Sequence, residues 1–463
     1  MFLVTKISLY LSYYIFLYGV IYTLFVGYGF WDGLVMYVGM HMKNNRFKYG
    51  YLIFPLLDVS FVVIPLLIFA CVYKRKYLNR PIQKHENNIA LIIPCHKAEK
   101  IISETLKHAL SIFYPESIFV IDNGNSETPL DDTRGVCNKY GVNYKWVPIG
   151  TKIGSIYVGC KLAKKYNYIL QIDDDMILDK DMTFPIKDDT DCVAYVISAI
   201  NNDKNPNLIQ KCQDVEYKVA GITKAVQTWL GNTSFAHGAI SLWKRDSLIK
   251  VLENHPMYPI SDDWFIGFIA NTLGMRIRVC DHKFISTDTP RTLFWGGRTS
   301  GYGSATLWMQ RFYRWYALII LQTIYNLYYI FFVWKFTTRR VIFQKLFIIW
   351  QCGIMSIMIF RYAIFVYSMY LQYDFTLIVF VSALITWMIT FFTFNFCFLK
   401  NDERFDWYMF FVFPCYKLQD TFVCIASMLY GLFYKIPNVL IEDKINLKNN
   451  KKISSILSTN TAC

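Results

Sequence analysis

The sequence predicts a soluble α/β domain inserted between two groups of apolar helices. Of the 463 residues, 54% are hydrophobic and 18% are charged, whereas soluble domains usually carry about a quarter charged residues. The apolar residues are concentrated towards the two ends of the chain, and the middle alternates short apolar runs with helical patterns. This distribution excludes a disordered chain and an ordinary soluble enzyme, and it favours a membrane protein with one sizeable soluble domain.

The net charge suggests several classes of binding partner, and the cysteine pattern indicates the state of the thiols. There are 48 Lys and Arg against 34 Asp and Glu, which gives a net charge of +14. Such an excess suits anionic lipid, phosphorylated substrates or nucleic acid, but no basic stripe or nucleic-acid motif is present, so we predict no nucleic-acid partner. The twelve cysteines show no CxxC pair and no zinc spacing, which predicts buried free thiols.

The first 86 residues are predicted to form an N-terminal membrane region with two transmembrane helices. Segments 6–31 and 51–73 are apolar, and each exceeds the roughly 20 residues that cross a bilayer. The first is too long for a signal peptide and lacks a cleavage site. The basic residues at 74–76 that follow the second predict that the chain emerges on the cytosolic side.

Residues 87–315 are predicted to be the soluble domain. Short β-type runs alternate there with helical patterns of ten to fifteen residues, which indicates a parallel α/β sheet. The four predicted strands are 89–93, 117–121, 168–172 and 192–198.

The region 316–443 is predicted to be a second membrane region. Segments 341–362 and 375–399 are apolar and long enough to span. Segment 316–334 is predicted to lie in the membrane interface, because that placement leaves the basic residues between 335 and 340 on the cytosolic side.

The end of the chain is less regular in its apolar pattern. Segment 405–434 is interrupted by Pro414, Lys417 and Asp420, so we predict an in-plane or re-entrant segment. Residues 444–463 are predicted to form a lysine-rich cytosolic tail.

Three consecutive carboxylates, Asp173 to Asp175, follow a buried strand. Three adjacent negative charges repel one another, so they are unfavourable unless a positive charge lies nearby. Their hard oxygen ligands suit Mg²⁺ or Mn²⁺ that is shared with substrate phosphates. Alternation along the strand sends Asp173 and Asp175 to one side and Asp174 to the other, so Asp173 and Asp175 are the predicted metal ligands. An exposed acidic turn is the alternative.

Two further residues point to an anionic ligand at the same edge of the sheet. Asp122 lies at the end of the second predicted strand, where open α/β sheets bind ligands, although Asp-Asn-Gly is also an ordinary turn. Lys152 begins a predicted helix, and a lysine at a helix N-terminus favours a diphosphate. An exposed lysine at a helix start is the alternative.

A second acidic pair, Asp262 and Asp263, follows Ser261 and precedes Trp264. One carboxylate could act as a general base with its proton affinity raised by the other, and helix capping by Ser and Asp is the alternative. Arg314 and Trp315 lie where the chain enters the membrane. They could bind a leaving diphosphate and a sugar ring, or serve only as interfacial anchors.

The order of these elements resembles that of the processive, membrane-embedded family 2 glycosyltransferases, such as hyaluronan, chitin and cellulose synthases. The phrase from Ile121 to Ser126, followed by 129–133, looks most like a fungal group of these polysaccharide synthases. The resemblance covers residues 87–315. It implies an α/β GT-A (Rossmann-like) cytosolic domain between α-helical transmembrane regions, in a multi-pass protein of the plasma membrane.

The resemblance also implies roles for individual residues. Asp263 would be the base that deprotonates the acceptor hydroxyl, with Asp262 beside it, and a metal would be held by Asp173 and Asp175. The implied substrate contacts are Asp122 with the uracil, Lys152 and Asp173 with the nucleotide phosphates, His237 with the acceptor sugar, and Gln310, Arg311, Arg314 and Trp315 from the QxxRW motif.

The sequence departs from the family pattern at this last motif. Arg311 stands at the usual Gln position and Gln310 one residue earlier, so the motif reads either RxxRW or QxxxRW. The implied activity is inverting transfer of a sugar from a UDP-sugar to a growing polysaccharide, processive and coupled to export through the lipid bilayer. The alternatives are a non-processive transferase that acts on a lipid-linked acceptor, and an inactive membrane or transport protein.

Overall fold

The computed structural model describes residues 2–25, 88–199, 205–295, 305–336, 338–371, 373–442 and 445–458. The predicted span 51–73 lies outside these residues. By internal contacts the chain forms two compact units, one of residues 1–73, 349–406 and 424–443 and the other of residues 74–348, 407–423 and 444–463.

Among the described residues, seven strands form one sheet in the order β3-β2-β1-β4-β6-β5-β7. Strands β1, β2, β3 and β4 run parallel, and β6 is antiparallel to both of its neighbours. The strands are β1 (Ile89–Cys95), β2 (Ile118–Asn123), β3 (Asn143–Val147), β4 (Tyr168–Ile172), β5 (Cys192–Ser198), β6 (Ile240–Lys244) and β7 (Ile277–Ser286).

The helices of the soluble part are α2 (Ile102–Ala109), α3 (Thr133–Tyr140), α4 (Lys152–Leu162), α5 (Leu208–Leu230), α6 (Arg245–Glu253) and α7 (Asp262–Thr272). They follow α1 (Phe2–Phe25) in the chain. The remaining helices are α8 (Leu307–Met309), which continues as a π-helical turn over Gln310–Trp315, then α9 (Ile319–Phe332), α10 (Arg339–Leu371), α11 (Tyr373–Cys397), α12 (Met409–Tyr430), α13 (Ile436–Ile441) and α14 (Lys451–Ser458).

The core of the soluble part lies on both faces of the sheet. Alternate residues of β1 enter two different apolar clusters, with Leu91 in one and Ile92 in the other, as the two-residue period of a strand requires. Burial on both faces explains why these strands read as continuous apolar runs in the sequence.

Two of the predicted strands, 168–172 and 192–198, have the predicted bounds. The first two each end two residues later than predicted, and the second also begins one residue later. The prediction of a parallel sheet does not hold for β6. The chain returns to the sheet beside the end of β4, where the Asp173 amide donates to the Ala239 carbonyl at 2.9 Å, so β6 must run back along β4. This reversal brings His237 and Gly238 to the edge where the acidic residues lie.

Two described helical segments are long and apolar enough to cross a membrane, Thr376–Cys397 in α11 and Met409–Ile441, which begins with α12. The first confirms that segment 375–399 forms a long apolar helix. The second overlaps segment 405–434, and α12 continues through Pro414. The in-plane or re-entrant placement of that segment stays a prediction. Its charges are paired, since the Lys417 ammonium lies 2.6 Å from the Asp420 carboxylate and 2.9 Å from Glu216.

The other apolar segments are also helical where they are described. Segment 341–362 lies within α10, and the described part of 6–31 is α1. The pair Leu307–Trp315 and Ile319–Phe332 bends by 42°, as in a broken span or a re-entrant segment, so the interfacial placement of 316–334 stays a prediction.

The C-terminal tail packs against the soluble domain through apolar side chains as well as carrying exposed lysines. Leu447 and Ile453 are buried in the apolar cluster on the α4 face of the sheet. Lys452 pairs at 3.2 Å with Glu127, in the segment that follows β2.

Candidate active site

The site lies at the edge where the parallel strands end. Thr151 caps α4 by accepting the Gly154 amide at 3.1 Å, and Lys152 occupies the first helical position. The Lys152 ammonium lies 2.5 Å from Asp173 Oδ1 and 3.1 Å from the Gly238 carbonyl oxygen. Burial lowers the pKa of Lys152, but Asp173 and the second acidic pair outweigh it, so the pKa is raised overall. Lys152 is therefore a firmly charged group at the acidic edge and not an exposed lysine.

The three consecutive carboxylates have different environments, and they do not form an exposed acidic turn. Burial raises the pKa of Asp174 to about 7. Burial, followed by Asp173 and Asp174, raises the pKa of Asp175 well above its ordinary value. Asp175 Oδ1 is buried and has no hydrogen-bond partner among the described residues. A buried carboxylate oxygen without a partner is an unfavourable arrangement that a cation would relieve.

This arrangement fits a divalent cation held partly by substrate. Among the described residues no three His, Cys, Asp or Glu side chains are grouped closely enough to form a complete metal site. Mg²⁺ characteristically takes one or two carboxylates and completes its shell with water and substrate phosphates. Asp173 and Asp175 could be these two carboxylates. Asp173 is paired with Lys152, and Asp175 has one oxygen without a partner among the described residues.

Asp122 lies within β2 and is not part of a turn. Its side chain is 1% exposed, and Oδ2 accepts a hydrogen bond from the Tyr144 hydroxyl at 3.0 Å. Burial raises the pKa of Asp122, although the Tyr144 hydrogen bond opposes the shift. Oδ1 has no partner among the described residues, so one oxygen is oriented and the other is available for a ligand.

The second acidic pair begins α7, and Ser261 does not cap this helix. Ser261 has a left-handed backbone conformation, with φ of 58°, and makes no side-chain capping bond. Its hydroxyl donates instead to the Arg314 carbonyl at 3.2 Å. This bond joins the acidic pair to the motif that ends in Trp315. A non-glycine residue held at positive φ is a form of strain that is typical of functional sites.

Asp263 is oriented by two backbone amides. Oδ2 accepts from Gly238 at 3.2 Å and Oδ1 accepts from Trp264 at 2.8 Å. Burial and the neighbouring Asp262 raise the pKa of Asp263, against the opposing effects of Lys224 and Lys152. A fixed carboxylate with raised proton affinity has the properties of a general base.

Gly238, which sequence reasoning did not single out for a role, connects the two halves of the site. Its carbonyl accepts from Lys152 at 3.1 Å and from Gln171 Nε2 at 3.3 Å, and its amide donates to Asp263. A Cβ at position 238 would lie 3.0 Å from the Asp263 Cβ. A single peptide unit therefore fixes Asp263 relative to Lys152, and only the close approach of two segments distant in sequence reveals this.

The motif that ends in Trp315 forms a π-helical turn over Gln310–Trp315. Tyr316 donates its amide to the Arg311 carbonyl, five residues back, at 3.0 Å, so this turn contains one more residue than an α-helical turn. Gln310 is buried and Arg314 is exposed, so the two side chains have different surroundings. Which of the two readings of the motif applies stays a prediction.

Gln310 and Arg311 have contrasting surroundings. The Gln310 side chain is 1% exposed, and neither its amide oxygen nor its nitrogen has a partner among the described residues. Arg311 is 2% exposed and pairs with Glu216 at 2.5 Å and with the Tyr416 hydroxyl at 3.2 Å. Its guanidinium lies 3.9 Å from the centre of the Trp315 ring. Arg311 is thus bound within the protein, whereas the Gln310 amide is free to accept a ligand.

Trp315 and His237 form an aromatic group with Tyr217 of α5. The Tyr217 ring lies 5.9 Å from Trp315, nearly parallel to it, and 5.7 Å from His237. His237 Nδ1 is buried without a partner among the described residues, and burial, with Lys224 and Lys152, holds the pKa of His237 well below its ordinary value. The imidazole is therefore neutral, and aromatic rings with a polar edge suit a sugar. Arg314 is exposed and joins the site through its carbonyl.

Sequence reasoning also missed His255 and Lys224. The His255 Nδ1 accepts the Met257 amide at 3.0 Å, so its Nε2 donates to the Asp262 carbonyl at 3.3 Å and helps hold the start of α7. Lys224 of α5 faces the Phe235 ring at 3.7 Å. Neither residue lies in a recognisable motif, and only packing between distant elements could have revealed them.

Comparison with known proteins assigns the soluble domain to a family. Residues 86–300 match the model described as glycosyltransferase like family 2. The chain therefore carries a glycosyltransferase family 2 domain, and its mixed sheet is a GT-A-like fold.

Two curated relatives are polysaccharide synthases. The chain is 25% identical over 215 residues to a poly-beta-1,6-N-acetyl-D-glucosamine synthase of Staphylococcus epidermidis, which covers 43% of this chain and 51% of the relative. It is 26% identical over 186 residues to the hyaluronan synthase of Streptococcus pyogenes, which covers 37% of this chain and 44% of the relative. The aligned part thus spans about half the length of these relatives.

A solved structure of a mannosyltransferase from Pyrobaculum calidifontis, in complex with GDP-Man and Mn²⁺, is similar with a TM-score of 0.46 and 12% sequence identity. The match covers 83% of this chain and 99% of the mannosyltransferase. A likeness of this size carries no argument about ligand or mechanism.

Proposed function

We propose that this protein transfers a sugar from a UDP-sugar to a growing polysaccharide, with inversion at the anomeric carbon, and that synthesis is processive and coupled to export. The observation that carries the proposal is the Gly238 peptide, which binds Lys152 through its carbonyl and Asp263 through its amide. Because Lys152 and Asp263 bind the same peptide unit, this contact supports the assignment of a phosphate-binding cation and a general base to one reaction centre.

The donor half of the site is assigned to Asp122, Lys152 and Asp173. The unpartnered Oδ1 of Asp122 can accept an N–H of a uracil ring. Lys152, at the N-terminus of α4, provides a positive charge and a helix end for the diphosphate. When the donor binds, its phosphates take over part of the ion pair that Lys152 makes with Asp173.

The acceptor half is assigned to Asp263, Gln310, His237 and Trp315. The acceptor hydroxyl attacks the anomeric carbon while its proton passes to the Asp263 carboxylate. A carbon–oxygen bond to the acceptor forms as the bond to the diphosphate breaks, and the electron pair leaves with UDP. One such displacement inverts the configuration and requires no nucleophile from the enzyme. Asp262 stays beside the base and raises its proton affinity.

The metal assigned to Asp173 and Asp175 is Mg²⁺ or Mn²⁺. When bound, it supplies positive charge to the departing diphosphate. The unpartnered Asp175 Oδ1 is the observation that supports its presence.

Polymerisation and export are supported by the two apolar helical segments that follow the family domain and by the two polysaccharide synthases among the relatives. The soluble domain is assigned to the cytosol, where UDP-sugars are made, and the protein to the plasma membrane. A lipid-linked acceptor is the competing assignment, and product size distinguishes the two.

The test is incorporation of labelled sugar by membranes that contain the protein. UDP-N-acetylglucosamine, UDP-glucose and UDP-glucuronate are offered singly and in pairs, with Mg²⁺ or Mn²⁺. The proposal predicts high-mass product that depends on Asp263, with Asp246→Asn as the control because Asp246 is 78% exposed. Label found only in small lipid-soluble material would contradict polymerisation, and no transfer from any donor would contradict the enzymatic proposal.

A further inference from the structure

Lys224 is a cation that interacts electrostatically with the proposed base, Asp263, and it lies outside every recognised motif. It stands on α5 seven residues after Tyr217, which is two helical turns and therefore the same face of the helix. That face already contributes Tyr217 to the aromatic group with Trp315 and His237. The Lys224 ammonium is 3.7 Å from the centre of the Phe235 ring, and among the described residues it forms no ion pair with a carboxylate at salt-bridge distance.

Phe235 fixes the distance between this cation and the base. A Cβ at Gly267 of α7 would lie 2.2 Å from the Phe235 Cβ, so the ring side chain is packed closely between α5 and α7. Phe235 is followed two and three residues later by His237 and Gly238, and the Gly238 amide binds Asp263. Lys224 is thus held against the same short segment that orients the base.

The charged and titratable groups that interact with Lys224, or with the groups it affects, lie on three other parts of the chain. Asp263 and Asp262 lie at the start of α7, His237 lies in the segment before β6, and Lys152 starts α4. Burial lowers the pKa of Lys224 to about 8, and Asp263 opposes this shift. His237 is neutral, so the local balance is between two carboxylates and two ammonium groups.

Lys152 cannot keep Asp263 ionised during the reaction. It is bound to Asp173 at 2.5 Å, and in the proposed function it faces the two phosphates of the donor, whose negative charge cancels its effect. Among the described residues Lys224 has no such partner, so its charge remains directed at Asp263 when the donor is bound. Without it, burial and Asp262 would together favour protonated Asp263.

We infer that Lys224 is a positioning residue that keeps the Asp263 carboxylate ionised, and therefore able to accept the proton of the acceptor hydroxyl. The inference rests on the proposed function, in which Asp263 is the base. Lys224 contacts neither the donor nor the transferred sugar in this account and acts only through Asp263. Its removal should therefore change the pH at which the enzyme loses activity and leave donor binding unchanged.

The experiment compares the pH profile of sugar transfer by membranes that contain wild-type protein, Lys224→Met, Lys224→Gln or Lys224→Arg. An opposite charge at close range lowers an aspartate pKa by roughly one unit or more, so both neutral variants should lose activity at a pH about one unit higher. Their activity relative to wild type should then fall to about one tenth on the acidic limb of the profile and return to the wild-type level above that limb. Lys224→Arg, which keeps the charge, should retain the wild-type acidic limb, and the donor KM should be unchanged in all three.

Two controls separate the possible failures. Lys250→Met makes the same change on the exposed surface of α6 and should leave the profile unaltered. An equal loss of activity at every pH in both neutral variants, or an altered acidic limb in Lys224→Arg, would overturn the inference. If Asp263→Asn retained transfer, the assignment of the base itself would fail. If that variant were inactive while the neutral Lys224 variants kept the wild-type limb, only the role of Lys224 would be lost.

Discussion

The Lys152 ammonium is bound to the Asp173 carboxylate at 2.5 Å, which joins the helix that follows β3 to the end of β4. In the proposed function this pair is the point where the donor diphosphate enters, because the phosphates replace one partner of the lysine.

Replacing Lys152 by Met should reduce kcat/KM for the donor by about 100-fold or more, since a group aimed at developing charge typically contributes that much. The loss should appear in both kcat and donor KM, and it is measured by initial rates of labelled-sugar transfer. Lys250→Met provides the matched control. Unchanged donor kinetics in Lys152→Met would contradict the diphosphate assignment.

Gly238→Ala tests the geometry of the connecting peptide. The new Cβ would lie 3.0 Å from the Asp263 Cβ, so Asp263 should be displaced by a few tenths of an ångström. We expect kcat to fall roughly tenfold or more, because small misplacements of reacting groups are costly. Gly353→Ala is the control, since a Cβ there meets nothing within 4 Å. Equal kcat values for the two variants would show that the contact is unimportant.

The ion pair between Arg311 and Glu216 should stabilise the fold and not the transition state. Glu216→Gln leaves the buried Arg311 charge without a carboxylate and should lower the free energy of unfolding by about 3 kcal/mol or more. Arg311→Gln should lower it by less, because Lys417 still pairs with Glu216. The double variant should lose less than the two single losses added together, which thermal unfolding in detergent can measure. Additive losses would indicate that the two side chains act independently.

Protonation of His255 should weaken the fold in acid. Burial lowers the pKa of His255 in the folded protein from 6.5 to about 4, so the unfolded chain binds the proton first. The stability that His255 contributes is present above pH 6.5 and is lost as the pH falls towards 4, by at most about 3 kcal/mol. His255→Gln should remove this part of the pH dependence of unfolding. An identical pH dependence in both proteins would contradict the assignment.

Much of the donor half could be predicted from the sequence, because it depends on local patterns. Asp122 and Asp173 directly follow apolar runs, and a strand end, a helix start and a charged residue are all visible within about ten residues. The two described helical segments that are long and apolar enough to cross a membrane are visible for the same reason, since length and composition suffice. The continuation of α12 through Pro414 could not be predicted from those features.

The acceptor half depends on contacts between elements far apart in the chain. The antiparallel β6 carries Gly238 to Asp263, and no local signal marks either the reversal or the contact. The role of Arg311 was also beyond the sequence, because its partners Glu216 and Tyr416 lie about one hundred residues away on either side. The π-helical turn over this motif is defined by its backbone hydrogen bonds, and the spacing of residues in the sequence does not reveal them.

The most direct test of the central claim is to measure donor binding and sugar transfer separately in Asp263→Asn. This change keeps the size of the side chain and one acceptor oxygen but removes the base. The account predicts that the variant binds UDP-sugar about as tightly as the wild type and transfers sugar at least about 100-fold more slowly. Transfer at a rate close to that of the wild type, with donor binding intact, would contradict the claim that Asp263 activates the acceptor.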